Sequence, residues 1–380
     1  MGSDRDLFLN KIINHKQKTI IYGLGMFGKN VRFFLQDECG ISIDYFCDKN
    51  NLLWGTLIEN NIKCISLEEL VNQKDSCNII IAVAYRYLDE VKLYFEQNCI
   101  NNYMTCLDLI KCSWLKRKFC RVERIESLKY LEEGKKSVKS HGRVRKGRVA
   151  VYTYIADGYD QLHQPLIIDK DVDYFVISDQ KIDNLGVFHW IDINTIVPHI
   201  MGDSFMKNRY CKMHGAELFQ DYDYSIYLDG AIQIAGDIIS YLDQVGKTGI
   251  ALYMNETNGC IYDAGILITL VGRCSFEKAR NQLKSYAMEG MPENYGYLCG
   301  GYIFRDNRNI LGNELMNLWW EEYQKWSTRD QLCLPYVMWK MGLVLEDVGI
   351  INNGQNRLED KNLIHHSHCY VKLYNLNEGK

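Results

Sequence analysis

The feature that most constrains the fold is a short β-prone stretch that ends on an acid and a glycine. Residues 225–228, Ser-Ile-Tyr-Leu, are apolar and β-prone enough for a buried strand, and Asp229 and Gly230 follow at once. In α/β sheets, ligands bind outside the carboxyl ends of the strands. The glycine beside the acid leaves room for a metal ion or a sugar. The stretch therefore predicts an α/β sheet with a polar site at this strand end.

Length and composition indicate a soluble globular protein with room for two domains. The chain has 380 residues, of which 47% are hydrophobic and 24% charged. The net charge of -4 gives no whole-chain case for nucleic-acid binding. The longest apolar runs, at 79–84 and 265–272, are far shorter than the roughly 20 residues that span a bilayer.

Cysteine usage and the N-terminus predict a cytoplasmic location. The 14 cysteines are scattered through apolar segments and include no Cys-x-x-Cys pair. The first residues lack the long apolar stretch of a secretory signal. We therefore expect reduced, packing thiols and no cysteine zinc site.

Residues 1–110 predict a first domain built on a βαβ unit. A strand at 18–22 runs into Gly23, Gly25 and Gly28, which have the G-x-G-x-x-G spacing, and a helix is expected over 29–36. Such glycines let the backbone approach a diphosphate at a helix N-terminus.

The same domain continues with a predicted strand at 41–47 that closes on Asp48, an acid placed to meet a ribose hydroxyl. A further strand is predicted at 78–84, with helices at 66–72 and 87–97. Two interpretations stay open: a nucleotide or nucleotide-sugar site, or a scaffold domain whose glycines serve strand-to-helix packing.

Residues 22–29 and 45–50 resemble the small Rossmann-like domains at the N-termini of bacterial polysaccharide-biosynthesis enzymes and of some sugar acetyltransferases. The resemblance implies a polysaccharide-assembly context more than a dehydrogenase.

Residues 111–148 form a basic segment that the whole-chain charge conceals. They hold 14 Lys and Arg against four Glu. A solvated helical linker is one interpretation. The other is attraction to an anionic membrane surface or to an anionic lipid-linked acceptor. Nucleic acid is not expected, because the aromatic residues here are few and not interleaved as a stacking platform.

A second α/β domain is predicted over 149–380. Strands at 149–155 and 172–177 are each followed by acids, among them Asp157 and Asp179, so polar groups gather along one sheet edge where a nucleoside could bind. A helix over 207–219 carries Arg209 and Lys212, which could reach a diphosphate.

Six motifs of this second part resemble, in order and spacing, the glycosyltransferase-like family that includes plant turgor-regulation and mucilage proteins and many bacterial capsule-locus proteins. The motifs are 151–153, 158–162 with Pro165, 173–175 with Ser178 and Asp179, Arg209 with Lys212, 222–230, and 327–331. The resemblance covers about 149–340.

That resemblance implies a GT-A-like glycosyltransferase domain with a mixed central sheet, following the Rossmann-like domain. It implies a nucleotide-sugar donor and transfer of a hexose-like unit to a glycan. The residues that we expect to bind the donor are Thr153, Asp157, Asp179, Arg209, Lys212, Asp229 and Gly230.

A divalent cation is expected but incompletely supplied with ligands. Enzymes of this fold usually hold Mn²⁺ or Mg²⁺ with an Asp-x-Asp pair. Here Ala231 stands in the third position, so Asp229 lacks its partner. We expect His366 or His368, from the cluster near the chain end, to complete the site with Asp229.

Two further elements are expected to face the acceptor. Gly300 and Gly301 would let the backbone approach a sugar ring, although a β-bulge explains them equally. Arg329 and Gln331 flank Asp330, which the resemblance places at the catalytic pocket. If the reaction inverts the anomeric centre, Asp330 is the expected general base; if it retains, Asp330 positions the acceptor.

The sequence therefore predicts a glycosyltransferase of surface polysaccharide assembly, acting on a glycan or lipid-linked glycan, cytoplasmic and with peripheral contact at the inner membrane face. Two alternatives are a non-catalytic glycan-assembly or glycan-binding module, given Ala231, and an NAD(P)-dependent oxidoreductase that uses the N-terminal domain.

Overall fold

A computed structural model describes most of the chain in two compact units. The described residues are 4–14, 17–38, 40–83, 85–106, 108, 147–197, 200, 203–255, 259–270, 274–326, 328–354 and 356–366. The first unit comprises Met1–Glu126 and Ile261–Glu293, and the second comprises Ser127–Cys260 and Asn294–Lys380. The domain boundaries 1–110, 111–148 and 149–380 stay a prediction; the units differ from them in assigning Ile261–Glu293 to the first.

The first unit contains a six-stranded sheet in the order β3-β4-β2-β1-β5-β6. Its strands are β1 Lys18–Tyr22, β2 Tyr45–Cys47, β3 Leu57–Ile58, β4 Ile62–Ile65, β5 Cys77–Ile81 and β6 Tyr103–Thr105. All neighbours pair in parallel except β3 with β4. The central strands are almost continuously buried, as parallel strands covered on both faces must be.

The helices of this unit follow local signals in the sequence. They are Asp4–Ile13, Met26–Arg32, Leu67–Gln73, Tyr85–Gln97, Ile261–Leu270 and Phe276–Met288. Ser66 and Glu69 form a reciprocal capping box at the start of the third helix. The predicted strand at 41–47 is shorter than expected, because only Tyr45–Cys47 pairs with β1 and β4.

The second unit is organised around a seven-stranded mixed sheet in the order β14-β12-β13-β10-β7-β8-β9. Its strands are β7 Val149–Tyr154, β8 Val172–Ser178, β9 Phe188–Asp192, β10 Tyr224–Leu228, β12 Ile250–Met254, β13 Leu298–Asp306 and β14 Gly349–Ile350. The strands β10, β7, β8 and β9 run parallel, and β13 runs antiparallel to β10 and β12. The predicted α/β class with a mixed central sheet is confirmed.

Helices and one small sheet complete the second unit. The helices are Ile193–Ile196, Ser204–Met213, Gly215–Leu218, Ile310–Trp326 and Asp330–Lys340. Strands β11 Ile232–Ile234 and β15 Leu363–His365 form a separate antiparallel pair. The helix predicted over 207–219 therefore begins earlier and is split in two near His214.

The core of the second unit lies against the central sheet and includes Val151, Val176, Ile226, Tyr302 and Phe304. All of the described cysteines except Cys99 are buried, as packing thiols are. Within the described ranges, the helices are too short or too polar to cross a membrane.

Candidate active site

The predicted donor residues gather where three neighbouring parallel strands end. Thr153 lies near the end of β7, Asp179 follows β8, and Asp229 follows β10. The Thr153 hydroxyl and one carboxylate oxygen of Asp179 are buried and find no hydrogen-bond partner among the described residues. Because buried polar atoms are almost always satisfied, these two atoms indicate a site for a ligand or for ordered water.

Asp229 is held by side chains and by its neighbour strand. The Tyr227 hydroxyl donates to Asp229 Oδ1 at 2.7 Å, and the Asp229 backbone N–H donates to the carbonyl of Gly301 at 2.9 Å. Lys212 Nζ lies 3.5 Å from the same Oδ1. Burial, together with the charge of Asp229, raises the pKa of Tyr227 well above its ordinary value, so this hydroxyl keeps its proton and stays a donor.

The helix Ser204–Met213 brings the basic residues to this acid. The Asp203 side chain caps it by accepting from the Met206 N–H at 3.0 Å. The Ser204 hydroxyl donates to Asp157, which joins the helix start to the loop after β7. Arg209 and Lys212 are three residues apart, so they project from one helix face, where both reach Asp330.

Asp330 is the most deeply buried acid of the site. Its side chain is 1% exposed, with Lys212 Nζ at 3.0 Å and Arg209 Nε at 3.3 Å. Burial alone would raise the pKa of this carboxyl, but the charges of Arg209, Lys212 and Arg329 outweigh it and hold the pKa well below its usual range. Asp330 is therefore an anion at neutral pH with little affinity for a proton.

Hydrogen bonds and ion pairs close a ring through both acids. Asn208 Nδ2 donates to the Tyr227 hydroxyl at 3.0 Å, and Arg209 Nη1 donates to Asn208 Oδ1 at 2.5 Å. The ring runs Asp229, Tyr227, Asn208, Arg209, Asp330, Lys212 and back to Asp229. Two cations balance two anions in it, so the buried charges compensate one another.

A buried guanidinium stabilises the backbone that carries Lys212, one member of the ring. Arg305 on β13 is fully buried, and it donates to the backbone carbonyl of Lys212 at 2.9 Å and to the Ser225 hydroxyl at 3.1 Å. The carbonyl of Lys212 lies in the last turn of its helix, where a cation is favoured. Arg305 thereby fixes the backbone that carries Lys212.

Gly300 and Gly301 make room for the two acids. A Cβ on Gly301 would stand 2.7 Å from Asp229 Oδ2, and one on Gly300 would stand 3.4 Å from Asp330 Oδ2. The register between β12 and β13 also shifts near this stretch, as the bulge alternative requires. The glycines are therefore needed for packing, and their predicted contact with an acceptor stays a prediction.

The neighbours of Asp330 at the start of the helix Asp330–Lys340 are less tightly held. Arg329 precedes the helix as its N-cap residue, and its Nε atom is buried without a hydrogen-bond partner in the described part of the chain. The Tyr297 hydroxyl donates to Gln331 Oε1 at a long 3.4 Å. Both side chains retain hydrogen-bonding capacity for a ligand.

The histidines near the chain end reach the loop after Asp229, through the pairing of β11 with β15. The His366 backbone N–H donates to the carbonyl of Ala231 at 2.8 Å. Its ring stacks on His163 at 3.7 Å and forms a 2.9 Å hydrogen bond with Gln233. The His365 ring contacts the Tyr302 hydroxyl at 2.9 Å. His368 lies outside the described residues.

These residues do not fit a divalent cation. Among the described residues, no three His, Cys, Asp or Glu side chains come together as a metal site. Asp229 Oδ1 already accepts from Tyr227 and has the Lys212 ammonium beside it, and Ala231 offers no side-chain ligand. A cation of this class needs several oxygen ligands. The predicted Mn²⁺ or Mg²⁺ thus has no adequate ligand set among the described residues, which do not include His368.

The glycine loop of the first unit is hydrogen-bonded to Asp48, the acid that follows β2. Asp48 Oδ2 accepts from the Leu24 N–H at 2.7 Å, and Asp48 Oδ1 accepts from the Asn50 N–H at 2.9 Å. A Cβ on Gly28 would stand 1.9 Å from the carbonyl oxygen of Gly23, whereas one on Gly25 would meet nothing within 4 Å. Packing therefore accounts for Gly28 and backbone capping for Asp48. The predicted nucleotide contacts of this loop stay predictions.

Sequence reasoning missed three members of the site: Tyr227, Asn208 and Arg305. Tyr227 lies two residues before Asp229, the spacing that puts side chains on one face of a strand. Asn208 lies four residues before Lys212, the spacing of one helix face. These periodicities could have found both. Arg305 carries no such local signal, because its contacts come from distant segments.

The arrangement defines an α/β protein with an acidic and basic site at the carboxyl edge of a mixed sheet. Residues 132–357, more than half of the chain, match the TOD1/MUCI70, glycosyltransferase-like domain. The chain belongs to this glycosyltransferase-like family, which confirms the resemblance of the second part of the sequence. The resemblance of residues 22–29 and 45–50 to Rossmann-like domains stays a prediction. No curated protein matches the chain.

Several solved glycosyltransferases have a limited similarity to this chain. The bifunctional glycosyltransferase WbbM in its apo form has a TM-score of 0.33 and 15% identity, over 52% of this chain and 38% of WbbM. The galactosyltransferase LgtC with donor and acceptor sugar analogues has a TM-score of 0.29 and 12% identity, over 50% and 70%. Mouse xyloside xylosyltransferase 1 has a TM-score of 0.32 and 8% identity, over 52% and 83%. TM-scores this low carry no statement about activity.

Proposed function

We propose that the chain transfers a hexose-like sugar from a nucleotide-sugar donor to a glycan or lipid-linked glycan acceptor in surface polysaccharide assembly. The observation that carries the proposal is the closed ring through Asp229 and Asp330 at the carboxyl edge of the sheet. It lies where α/β sheets bind ligands, and the unpaired polar atoms of Thr153 and Asp179 end on the same edge.

The donor is expected to enter beside Asp229, the more accessible of the two acids. The Asp229 side chain is 39% exposed, against 1% for Asp330. Thr153 and Asp179 would then take hydroxyls or ring atoms of the nucleoside, because their free atoms offer both a donor and an acceptor. Gly230 is buried, and Asp160 fills the space that a Cβ would need, so this turn tolerates no side chain.

Asp330 is better suited to hold charge than to accept a proton. A general base works best when its pKa lies near the operating pH, and the pKa of this carboxyl is well below its usual range. This favours the second of the two roles considered for Asp330, in which the carboxylate positions groups and needs no acceptor proton. The low pKa of Asp330 therefore favours a retaining outcome, which needs no general base on the acceptor.

Arg329 and Gln331 are the residues that we assign to the acceptor side. They flank Asp330 at the start of its helix, and each has unused hydrogen-bonding capacity. An acceptor hydroxyl bound by Gln331 would lie next to the ring rather than inside it. The role of the ring is then to hold the two acids in place while the sugar is transferred from the donor to the acceptor.

A panel of nucleotide sugars tests the proposal. UDP-, GDP-, ADP- and dTDP-hexoses are screened by thermal shift, and the best ligand is assayed for release of its nucleoside diphosphate. We expect one nucleotide class to raise the melting temperature and to be turned over. Asp229→Asn should lower both the ligand-induced rise in melting temperature and the rate of nucleoside diphosphate release at least tenfold. Glu90→Gln in the first unit should change neither quantity.

Binding without turnover in the presence of glycan acceptors would favour the non-catalytic glycan-assembly module. Binding of NADH or NADPH with no response to any nucleotide sugar would favour the oxidoreductase. Either result would overturn glycosyl transfer.

The cellular context is a separate part of the proposal. The basic segment 111–148 supports contact with an anionic membrane surface from the cytoplasmic side, where a lipid-linked acceptor would be found. Most of that segment lies outside the described residues. Co-sedimentation with vesicles checks it: we expect binding to anionic and not to neutral vesicles, and equal binding to both would contradict it.

A further inference from the structure

Two acids of the candidate active site, Asp229 and Asp330, are paired with cations of the chain itself. In enzymes with a GT-A-like fold an Asp-x-Asp pair usually presents negative charge that a divalent cation cancels when a diphosphate binds. Here one acid of the pair is replaced by Ala231, and the other, Asp229, has the Lys212 ammonium at 3.5 Å. Asp330 is paired with Lys212 and Arg209. The protein therefore supplies the positive charge itself.

The position of Lys212 is fixed and leaves little room for a metal ion. Its side chain is 4% exposed and stands between the two carboxylates, 3.0 Å from Asp330 and 3.5 Å from Asp229. Arg305 anchors its backbone carbonyl at 2.9 Å. A divalent cation on Asp229 Oδ1 would come close to this ammonium, and the two positive charges would repel one another.

The other expected ligand is also engaged. The His366 ring is stacked on His163, and its Nε2 atom is hydrogen-bonded to Gln233, so a metal bound through Nε2 would replace that hydrogen bond. Asp229 Oδ1 and His366 Nε2 thus already have protein partners.

We propose that Lys212 takes the electrostatic role of the divalent cation, so that this site binds the diphosphate of its donor without Mn²⁺ or Mg²⁺. The inference rests on the proposed function, because it concerns the same site. Lys212 and Arg209 balance Asp229 and Asp330, and Arg329 adds positive charge beside Asp330, so these residues present less negative charge to a diphosphate than an unpaired Asp-x-Asp would.

The test measures binding of UDP, GDP, ADP and inorganic pyrophosphate to the full chain by calorimetry, in EDTA and in Mn²⁺. We expect at least one of the nucleotides to bind with the same Kd, within twofold, in both buffers. Titration with Mn²⁺ alone should give the same heat for the wild type and for Asp229→Asn.

Lys212→Met should weaken this metal-free binding at least tenfold, because it leaves two carboxylates facing one guanidinium. If this variant fails to fold, the double variant Lys212→Met with Asp330→Asn removes both partners of the buried pair and is expected to fold and to bind at least fivefold more weakly than the wild type. Lys247→Met is the matched control, because it breaks the ion pair with Asp347 elsewhere in the second unit.

The outcomes separate the inference from the function. Binding that appears only with Mn²⁺, or a Lys212 variant that binds as the wild type does, would overturn the role of Lys212 and leave glycosyl transfer standing. An absence of binding in both buffers would overturn both.

Discussion

The two units use an acid after a buried parallel strand in opposite ways. Asp48 follows β2 in the first unit, and Asp229 follows β10 in the second. Both carboxylate oxygens of Asp48 accept from backbone N–H groups, one from Leu24 in the glycine loop at 2.7 Å and the other from Asn50 in its own loop at 2.9 Å. Asp229 is held instead by the side chains of Tyr227 and Lys212. The same short pattern thus gives a loop closure in one unit and a charged site in the other.

The difference lies in what surrounds each acid. Backbone donors are present in every loop, so an acid that binds them stabilises the loops that carry them and needs no charged partner. A network of buried charged side chains is costly unless every member is paired. Such a network is therefore a stronger indication of function than the strand-acid pattern alone.

The largest effect should come from opening the charged network. Asp330→Ala leaves Lys212 and Arg209 without their buried partner, so we expect the second unit to lose about 3–5 kcal/mol of unfolding free energy and the chain to lose all transfer activity. Glu90→Ala, which breaks the exposed pair with Lys49 in the first unit, should cost less than about 1 kcal/mol. Chemical denaturation measures both. Similar costs for the two would contradict the contrast between the acids.

The same carboxylate gives a pH dependence of known sign. Because the folded state depresses the pKa of Asp330, its contribution to stability is complete above the ordinary carboxyl pKa of about 4 and is lost as pH falls below it. We expect denaturation curves of the wild type to weaken below about pH 4 and those of Asp330→Asn to weaken less. Parallel curves would show that the depressed pKa is not the cause.

The second effect concerns the glycine loop. Gly28→Ala should cost about 1–3 kcal/mol, because its Cβ would meet the Gly23 carbonyl at 1.9 Å. Gly25→Ala should change stability by less than about 0.5 kcal/mol, because its Cβ meets nothing within 4 Å. Thermal unfolding compares the pair. If Gly25→Ala leaves the fold intact but removes binding of a nucleotide to the first unit, the loop is a nucleotide-binding site and does not serve packing alone.

The sequence predicted the frame of both units because their signals are local. The predicted strands at 225–228, 149–155 and 172–177 are all present, because each follows from a β-prone run of largely buried residues. The start of the helix Asp330–Lys340 has no such local signal: its N-cap residue is Arg329, whose side chain makes no capping hydrogen bond.

The candidate site could be predicted only in part. Arg209, Lys212, Asp229 and Asp330 were all identified, but their pairing joins segments that lie about a hundred residues apart, and spacing does not reveal such contacts. The burial of Asp330, which turns an expected base into a fixed anion, also depends on the packing of Trp319 and β13 around it. These properties come from tertiary structure and not from any local pattern.

The third effect tests the loop closure by Asp48. Asp48→Ala removes the acceptor of the Leu24 and Asn50 N–H groups, so we expect a loss of about 1–2 kcal/mol in the first unit. Asp48→Asn keeps one acceptor oxygen and should cost about half as much. Nucleotide-sugar binding should be unchanged in both variants, because Asp229 and its partners are intact. A loss of donor binding without a loss of stability would instead assign Asp48 to a ligand.

The smallest effect should come from the stacked histidines beside the Asp229 loop. Burial, together with the nearby His366, lowers the pKa of His163, whereas Asp160 opposes the shift. The neutral ring is therefore the folded form, and its contribution to stability is complete above the ordinary histidine pKa of about 6.5 and falls as pH drops below it. We expect the melting temperature of the wild type to fall between pH 7.5 and pH 5.5 and that of His163→Gln to fall less. His189→Gln, an exposed change on β9, should behave as the wild type does. If the melting temperatures of His163→Gln and the wild type fall equally, protonation of His163 is not what destabilises the contact between β15 and the Asp229 loop at low pH.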